Sequence, residues 1–224
     1  MAISEPGGGG PEHHLQTSGE RYELSLDLVL TRPYALHGPL GVCAVDMGPA
    51  GTSYFYSGTD LNGVGFLTMD GARQAVRASA WMDHRWGRWQ SHRAFAGWDW
   101  FSLRLDDGSR VMLFDFRDEQ CSVYPESGGT WIAADGTTQH LSGADYALNV
   151  LEQWTSPTTG GTYPVKWRLT MPGYGVQATV GATFPEQEMA IRVGPTYWQG
   201  SVAVDGTVQG VGYVEMTGYV PTAR

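Results

Sequence analysis

The sequence predicts an all-β fold, an antiparallel β-barrel of roughly a dozen strands, and three observations predict it. Glycine is abundant, at 31 of 224 residues, and 12% of the chain is aromatic, a composition suited to short strands and many turns. Apolar and polar residues alternate over long stretches, and no stretch sustains the 3.6-residue spacing of a long helix. Four Asp-Gly dipeptides, Asp70-Gly71, Asp107-Gly108, Asp135-Gly136 and Asp205-Gly206, stand between extended runs, and this dipeptide supplies the positive φ values of a tight hairpin turn. A chain of 224 residues has the length to bury a real core in one large β domain. Closing that many strands into a barrel also removes exposed edges.

Taken in order, residues 1–19 carry Gly7 to Gly10 between Pro6 and Pro11 and read as a flexible tail, not a signal peptide. Residues 20–224 then form a single barrel domain. Tyr22, Leu24, Leu26, Leu28 and Leu30 alternate with Glu23, Ser25, Asp27 and Val29, which is a strand with one dry face. Pro33 and His37-Gly38-Pro39 break it. A short apolar piece over 42–45, the Gly48 to Gly51 turn and the strand Ser53–Ser57 follow. The Asp-Gly turns join Val64–Met69 to Arg73–Trp86, Trp98–Leu105 to Arg110–Arg117, Thr130–Ala134 to Thr137–His140, and Thr196–Val204 to Thr207–Tyr219. Tyr146–Trp154 and Tyr163–Met171 make a broader hairpin around Ser156–Gly161. β-Branched and aromatic neighbours favour strand over helix in the first of these arms.

The net charge of −9, with Lys166 the sole lysine, argues against a phosphate-binding surface, so nucleic acid and anionic membrane are not expected partners. No run reaches the length of a membrane span, and the protein is expected to be cytoplasmic, as a monomer or homodimer. Cys43 and Cys121 are the only cysteines. They leave two readings open, one bridge or two reduced, buried thiols. There is no phosphate-binding glycine loop, nucleophile elbow, Cys-x-x-Cys or His-Glu-x-x-His, and the six scattered histidines suggest no metal site. His37, His92 and His140 lie near turn signals and read as surface residues. The chemistry expected therefore uses no cofactor.

What the chain offers instead is acids among aromatics. If Arg73–Trp86 is a strand, Trp81, Asp83 and Arg85 share one face while Met82, His84 and Trp86 share the other. A titratable group thus sits on each face, and whichever turns inward becomes a candidate acid or base through burial. Asp99, between Trp98 and Trp100, shares a face with Phe101, Leu103 and Leu105, and a turn or cap role competes with a functional one. Glu215 shares a face with Tyr213, Thr217 and Tyr219 in the last strand. A carboxylic acid in an aromatic pocket can donate a proton to an alkene or a hydrogen bond to a carbonyl. Asp83, His84 and Glu215 are the candidate catalytic groups. Tyr56, Trp81, Trp100, Tyr197, Trp198 and Tyr213 are the candidate walls for an apolar small-molecule substrate.

Several motifs occur in a telling order: Ser53-Tyr54-Phe55-Tyr56-Ser57, Trp81-Met82-Asp83-His84-Arg85-Trp86-Gly87, Gly97-Trp98-Asp99-Trp100-Phe101, Leu113-Phe114-Asp115-Phe116-Arg117-Asp118, Trp154-Thr155-Ser156-Pro157, Tyr197-Trp198-Gln199-Gly200 and Gly212-Tyr213-Val214-Glu215-Met216-Thr217-Gly218-Tyr219. Together they resemble the lipocalin-like proteins related to carotenoid 1,2-hydratase and AttH. The resemblance implies a lipocalin-like barrel and chemistry on a polyene. In the hydratases, an acid that matches Asp83 protonates an isolated alkene and water captures the cation. In cyclase relatives, Diels–Alderases among them, the pocket folds a linear polyene for ring closure. Members usually have two β domains, and the tryptophan-rich motif that opens the first is missing here. A chain with only the C-terminal portion would build its cavity inside one barrel or with a second copy. That length favours a cofactor-independent cyclase acting on a polyketide or isoprenoid intermediate by pericyclic chemistry. Hydration of an isolated alkene is the first alternative, and a non-catalytic carrier of an apolar molecule the second.

Overall fold

The structure, a computed structural model, describes residues 12–38, 41–43, 53–87, 96–120, 122–189 and 195–220. Over these the chain forms β1 Glu12–Ser18, β2 Tyr22–Leu30, β3 Ala35–Leu36, β4 Val42–Cys43, β5 Ser53–Met69, β6 Ala72–Gly87, β7 Gly97–Leu105, β8 Arg110–Arg117, β9 Gly128–Ile132, β10 Thr138–Ser142, β11 Ala147–Thr155, β12 Thr162–Met171, β13 Val176–Ala182, β14 Glu188–Met189, β15 Tyr197–Gly206 and β16 Gly210–Thr217. Among the described residues a 3-10 turn spans Pro172–Tyr174. The all-β antiparallel class read from the sequence holds.

The chain divides into two compact units, Met1–Leu36 with Phe55–Arg85, and His37–Tyr54 with Trp86–Arg224. The Asp-Gly turns are local signals and do not decide which hairpins share a sheet. The strands fall into two sheets. The six-stranded sheet runs β1-β2-β5-β3, with β4 and β6 also on β5. The ten-stranded sheet runs β10-β9-β8-β7-β16-β15-β13-β12-β11, with β14 on β15.

In the first unit, the Leu face of β2 does what its alternation requires. Leu26, Leu28 and Leu30 pack with Leu61 of β5, and Val76, Ala78, Ala80 and Met82 of β6 close over them. Residues 12–18, placed in the tail by composition, instead form β1, paired with β2 from Glu12↔Val29 to Ser18↔Glu23. Leu15 and Thr17 meet Leu26 and Leu24 there, so a short alternation beside a strong strand outweighs the glycine-rich stretch before it. β5 runs unbroken through glycines that read as breaks. At Gly63 a Cβ would lie 1.8 Å from the Asp27 carbonyl oxygen, so this glycine is a close approach between strands, not a turn.

In the second unit one face of the ten-stranded sheet encloses a packed core. Phe101, Leu103, Leu113, Trp167, Leu169, Met171, Val180, Trp198 and Val214 are all buried in it, each such side chain contributing about 1.5–3 kcal/mol. Three Asp-Gly turns fall where expected: Asp70 and Gly71 both have positive φ (48° and 81°), and Gly108 and Gly136 sit at 91° and 90°. At the fourth, β15 runs on through Gly206, which pairs with Ala178 of β13, and the chain reverses over residues 207–209. His37, expected on the surface, is 0% exposed, its Nδ1 2.8 Å from Thr130 Oγ1. His92 and the pairing of Cys43 with Cys121 lie outside the described residues.

Candidate functional site

The Asp70-Gly71 turn fixes the β5–β6 hairpin, and at its far end the two strands carry adjacent aromatic and polar residues to opposite faces. On one face the indole Nε1 of Trp81 donates to Asp83 Oδ1 at 2.7 Å, and Ser57 Oγ donates to the same oxygen. Ser57 is fully buried while the Asp83 residue is exposed. Phe55 lies on this face too, with the Arg85 guanidinium 5.8 Å from its ring centroid. The carboxyl group is thereby oriented by two neutral donors, each such bond being worth about 0.5–1.5 kcal/mol.

On the other face, Tyr56 Oη and His84 Nδ1 share a hydrogen bond of 2.9 Å. The Tyr56 ring meets His84 and Tyr34 edge-on, at 5.2 and 4.9 Å between centroids. Tyr34 Oη lies 3.2 Å from His13 Nε2. Burial, reinforced by Tyr56, raises the Tyr34 hydroxyl above its ordinary pKa, which keeps it a neutral hydrogen-bond donor. Parity therefore separates Asp83 from His84 as expected. Burial does not single out either, because both are exposed: the inward positions of β6 are taken by Val76, Ala78, Ala80 and Met82, below the polar end.

Glu215 belongs to the second unit. It pairs with Gln199 of β15 and Trp100 of β7, on the face opposite the core. Trp98 Nε1 donates to its Oε1 at 3.0 Å and Gln199 Nε2 to its Oε2 at 2.9 Å. Trp98 meets Tyr197 edge-on at 6.0 Å, and Trp100 stacks on Phe114 at 5.7 Å. Tyr197 and Tyr213 are both raised, by burial and then by the Glu215 charge. This gathers Trp100, Tyr197, Tyr213 and Glu215 on one surface. Trp198, expected as a wall, is instead core: it is 0% exposed, and its indole N–H donates to the Pro185 carbonyl at 2.7 Å.

A third polar group has Asp99 at its centre, and its partners Arg117 and Tyr219 were not foreseen from the sequence. Asp99 is a strand residue, not a turn or cap, and is 8% exposed on the core face. Arg117 Nη2 lies 3.0 Å from its Oδ1, and Tyr219 Oη donates to both carboxylate oxygens at 3.0 and 2.9 Å. Arg117 also donates to the Thr217 carbonyl at 2.7 Å and lies 4.0 Å over the Tyr219 ring. Burial pushes the Asp99 carboxyl up to about 6, against the opposing pull of Arg117 and Tyr219. Asp115, opposite Asp99 in the ladder, is raised by burial as well and accepts from Tyr146 Oη at 2.6 Å. The alternation Leu113-Phe114-Asp115-Phe116-Arg117 could have revealed this, since it places Asp115 and Arg117 on the face of Leu113. Tyr219 escapes such parity because Gly218, at φ 82°, turns the chain after β16.

Among the described residues no group of three or more His, Cys, Asp or Glu is arranged to hold a metal ion. None of their helices is long and apolar enough to cross a membrane.

The sequence profile of the AttH-like family matches residues 3–219. The chain belongs to this family. Within its fold, a crystal structure assigned as an AttH from Nitrosomonas europaea superposes with a TM-score of 0.86 at 29% identity, covering 94% of this chain and 65% of that one. Kievitone hydratase from Nectria haematococca superposes at 0.73 with 19% identity, covering 92% of this chain and 64% of that one. This chain thus spans just under two thirds of each. CghA, solved with Sch210972, reaches 0.48 at 13% identity over 92% of this chain and 64% of that one, too low a likeness to carry an argument. No curated protein sequence matches the chain.

Proposed function

We propose that this AttH-like chain is an enzyme acting on an unsaturated, mostly apolar small molecule, and that it adds water to a double bond by proton transfer at Asp83. The observation that carries the reading is the Trp81–Asp83–Ser57 arrangement: an oriented carboxyl group beside the Trp81 and Phe55 rings. Oriented by two donors to Oδ1, the protonated group delivers its proton to one alkene carbon. Water bonds to the other carbon, and the proton it sheds returns to the carboxylate. Atoms and charge balance, and the resting acid is restored. The Trp81 face lies beside the developing cation, which an aromatic ring stabilises. Kievitone hydratase shares this fold over 64% of its length, so the scaffold is compatible with a hydratase.

Cyclisation of a linear polyene is the second reading, and it uses the opposite face. The edge-on packing of Tyr34, Tyr56 and His84 makes a rigid wall with hydroxyl and imidazole groups on it. Such a wall accelerates ring closure by holding reacting ends together. The test is incubation with a prenylated phenol and a linear isoprenoid in oxygen-18 water, followed by mass analysis. Hydration gives a product heavier by one labelled water and abolished in Asp83→Asn. Cyclisation gives a product of unchanged mass that survives Asp83→Asn and is lost in Tyr56→Ala. Tight binding with no new product would mean a carrier.

A further inference from the structure

The second unit carries a groove that none of the candidate catalytic residues lines. It is an open depression of about 300 Å³, lined by Glu152, Gln153, Trp154, Val165, Lys166 and Pro185, with Gly181 and Ala182 beside them. That volume is at the lower end of the roughly 300–1,000 Å³ typical of small-molecule sites, so the occupant is a ligand of one or two rings.

We propose that this groove binds a neutral, hydroxylated ring of the pyranose class, laid against Trp154. Charge is the first reason. Lys166, the sole lysine of the chain, pairs with Glu152 across the β11–β12 ladder, Nζ to Oε1 at 2.6 Å. The lining therefore has no net charge, so it favours neither an anion nor a cation over a neutral ligand. Hydrogen-bonding capacity is the second. An ammonium keeps donors beyond the one spent on Glu152, a carboxylate has acceptor sites on both oxygens, and the Gln153 amide offers both kinds. Mixed donors and acceptors at short spacing match a ring of hydroxyl groups, each of which is donor and acceptor.

The apolar part of the lining is the third reason. Trp154, Val165, Ala182 and Pro185 suit the C–H face of a sugar, and Trp154 is braced by Tyr163, its ring 6.3 Å away and inclined by 25°. A held indole loses little freedom when a ligand stacks on it. Finally, the groove stays open at Gly181. A Cβ there would meet only the Lys166 Cγ, at 3.7 Å, an ordinary contact. Any larger side chain could be accommodated by the backbone but would extend into the space.

The test is titration of the whole isotope-labelled protein with methyl α-glucoside, methyl α-mannoside, methyl β-galactoside and N-acetylglucosamine. The Trp154 indole N–H resonance is followed, with benzoate as the anionic comparison. At least one sugar should shift that resonance saturably, with its affinity reduced about tenfold or more in both Trp154→Ala and Gly181→Leu. The second variant keeps the test decisive should the first not fold. Asp83→Asn should bind the sugar as the wild type does, which separates this proposal from the hydration reading. No saturable shift with any of the four sugars, retention of affinity in Gly181→Leu, or stronger binding of benzoate than of every sugar would each overturn it.

Discussion

Asp83 and Asp99 stand in similar sequence, Trp81-Met82-Asp83 and Trp98-Asp99-Trp100, and reach opposite ends of what a carboxylate can do in a β protein. Asp83 is exposed and oriented by two neutral donors, Trp81 and Ser57. Asp99 is buried, held by a guanidinium and a tyrosine, and pushed up to about 6. The tryptophans do not make the difference. Strand parity does: Asp99 falls in line with Phe101 and Leu103, which are core, whereas Asp83 falls on the face away from Met82 and the Leu core of β2. A perturbed carboxyl group therefore marks the structural site here, and the unburied one is the better candidate for chemistry. Strongly shifted groups are enriched at active sites, but buried ion-pair networks shift them too.

The largest effect expected from this contrast is on stability. Arg117→Ala leaves Asp99 and Asp115 without their shared cation and should cost about 3–5 kcal/mol. Chemical denaturation would read this, and turnover per folded molecule should be unchanged. Next comes pH. The folded-state pKa of Asp99 lies above its ordinary value of 3.8, at about 6, so the folded protein binds the extra proton in this window. The unfolding free energy should fall as pH rises from about 4 to 6, by up to about 3 kcal/mol, and level off above. Denaturant midpoints across that range check the slope, which Asp99→Asn should flatten. At Asp83, Ser57→Ala removes one orienting donor and should lower turnover about tenfold, equivalent to about 1.4 kcal/mol, read from initial rates on the hydrated probe. Smallest is Glu215→Gln, expected to cost no more than about 1.5 kcal/mol of stability, because an amide oxygen still accepts from Trp98. Its product yield should match the wild type, and a large loss would move the chemistry to the second unit.

Much of the fold was legible because its signals are local. The β2 alternation and the Asp70-Gly71, Asp107-Gly108 and Asp135-Gly136 turns each act over a few residues. β1 and β13 were not legible. β1 exists because β2 offers it an edge, and β13, with the small residues of Val176–Ala182, is a strand because β12 and β15 flank it. Nor could spacing tell that Gly63 is an interstrand contact, since only the partner backbone shows it. At the site, parity correctly set Asp83 and His84 apart and joined Glu215 to Tyr213. It could not bring Ser57 to Asp83 or Arg117 to Asp99, which depends on how neighbouring strands register. Trp198 was misplaced because an aromatic run at a strand start reads alike for wall and for core.

The central claim is that Asp83 serves chemistry while the Asp99 network serves the fold. It is tested most directly by measuring turnover and thermal midpoint for Asp83→Asn and Arg117→Ala side by side on the same substrate. The account predicts that Asp83→Asn keeps its midpoint and loses about 10²- to 10⁴-fold in turnover, whereas Arg117→Ala melts lower and turns over normally once folded. An Asp83→Asn protein that reacts at the wild-type rate, or that unfolds as readily as Arg117→Ala, would contradict it.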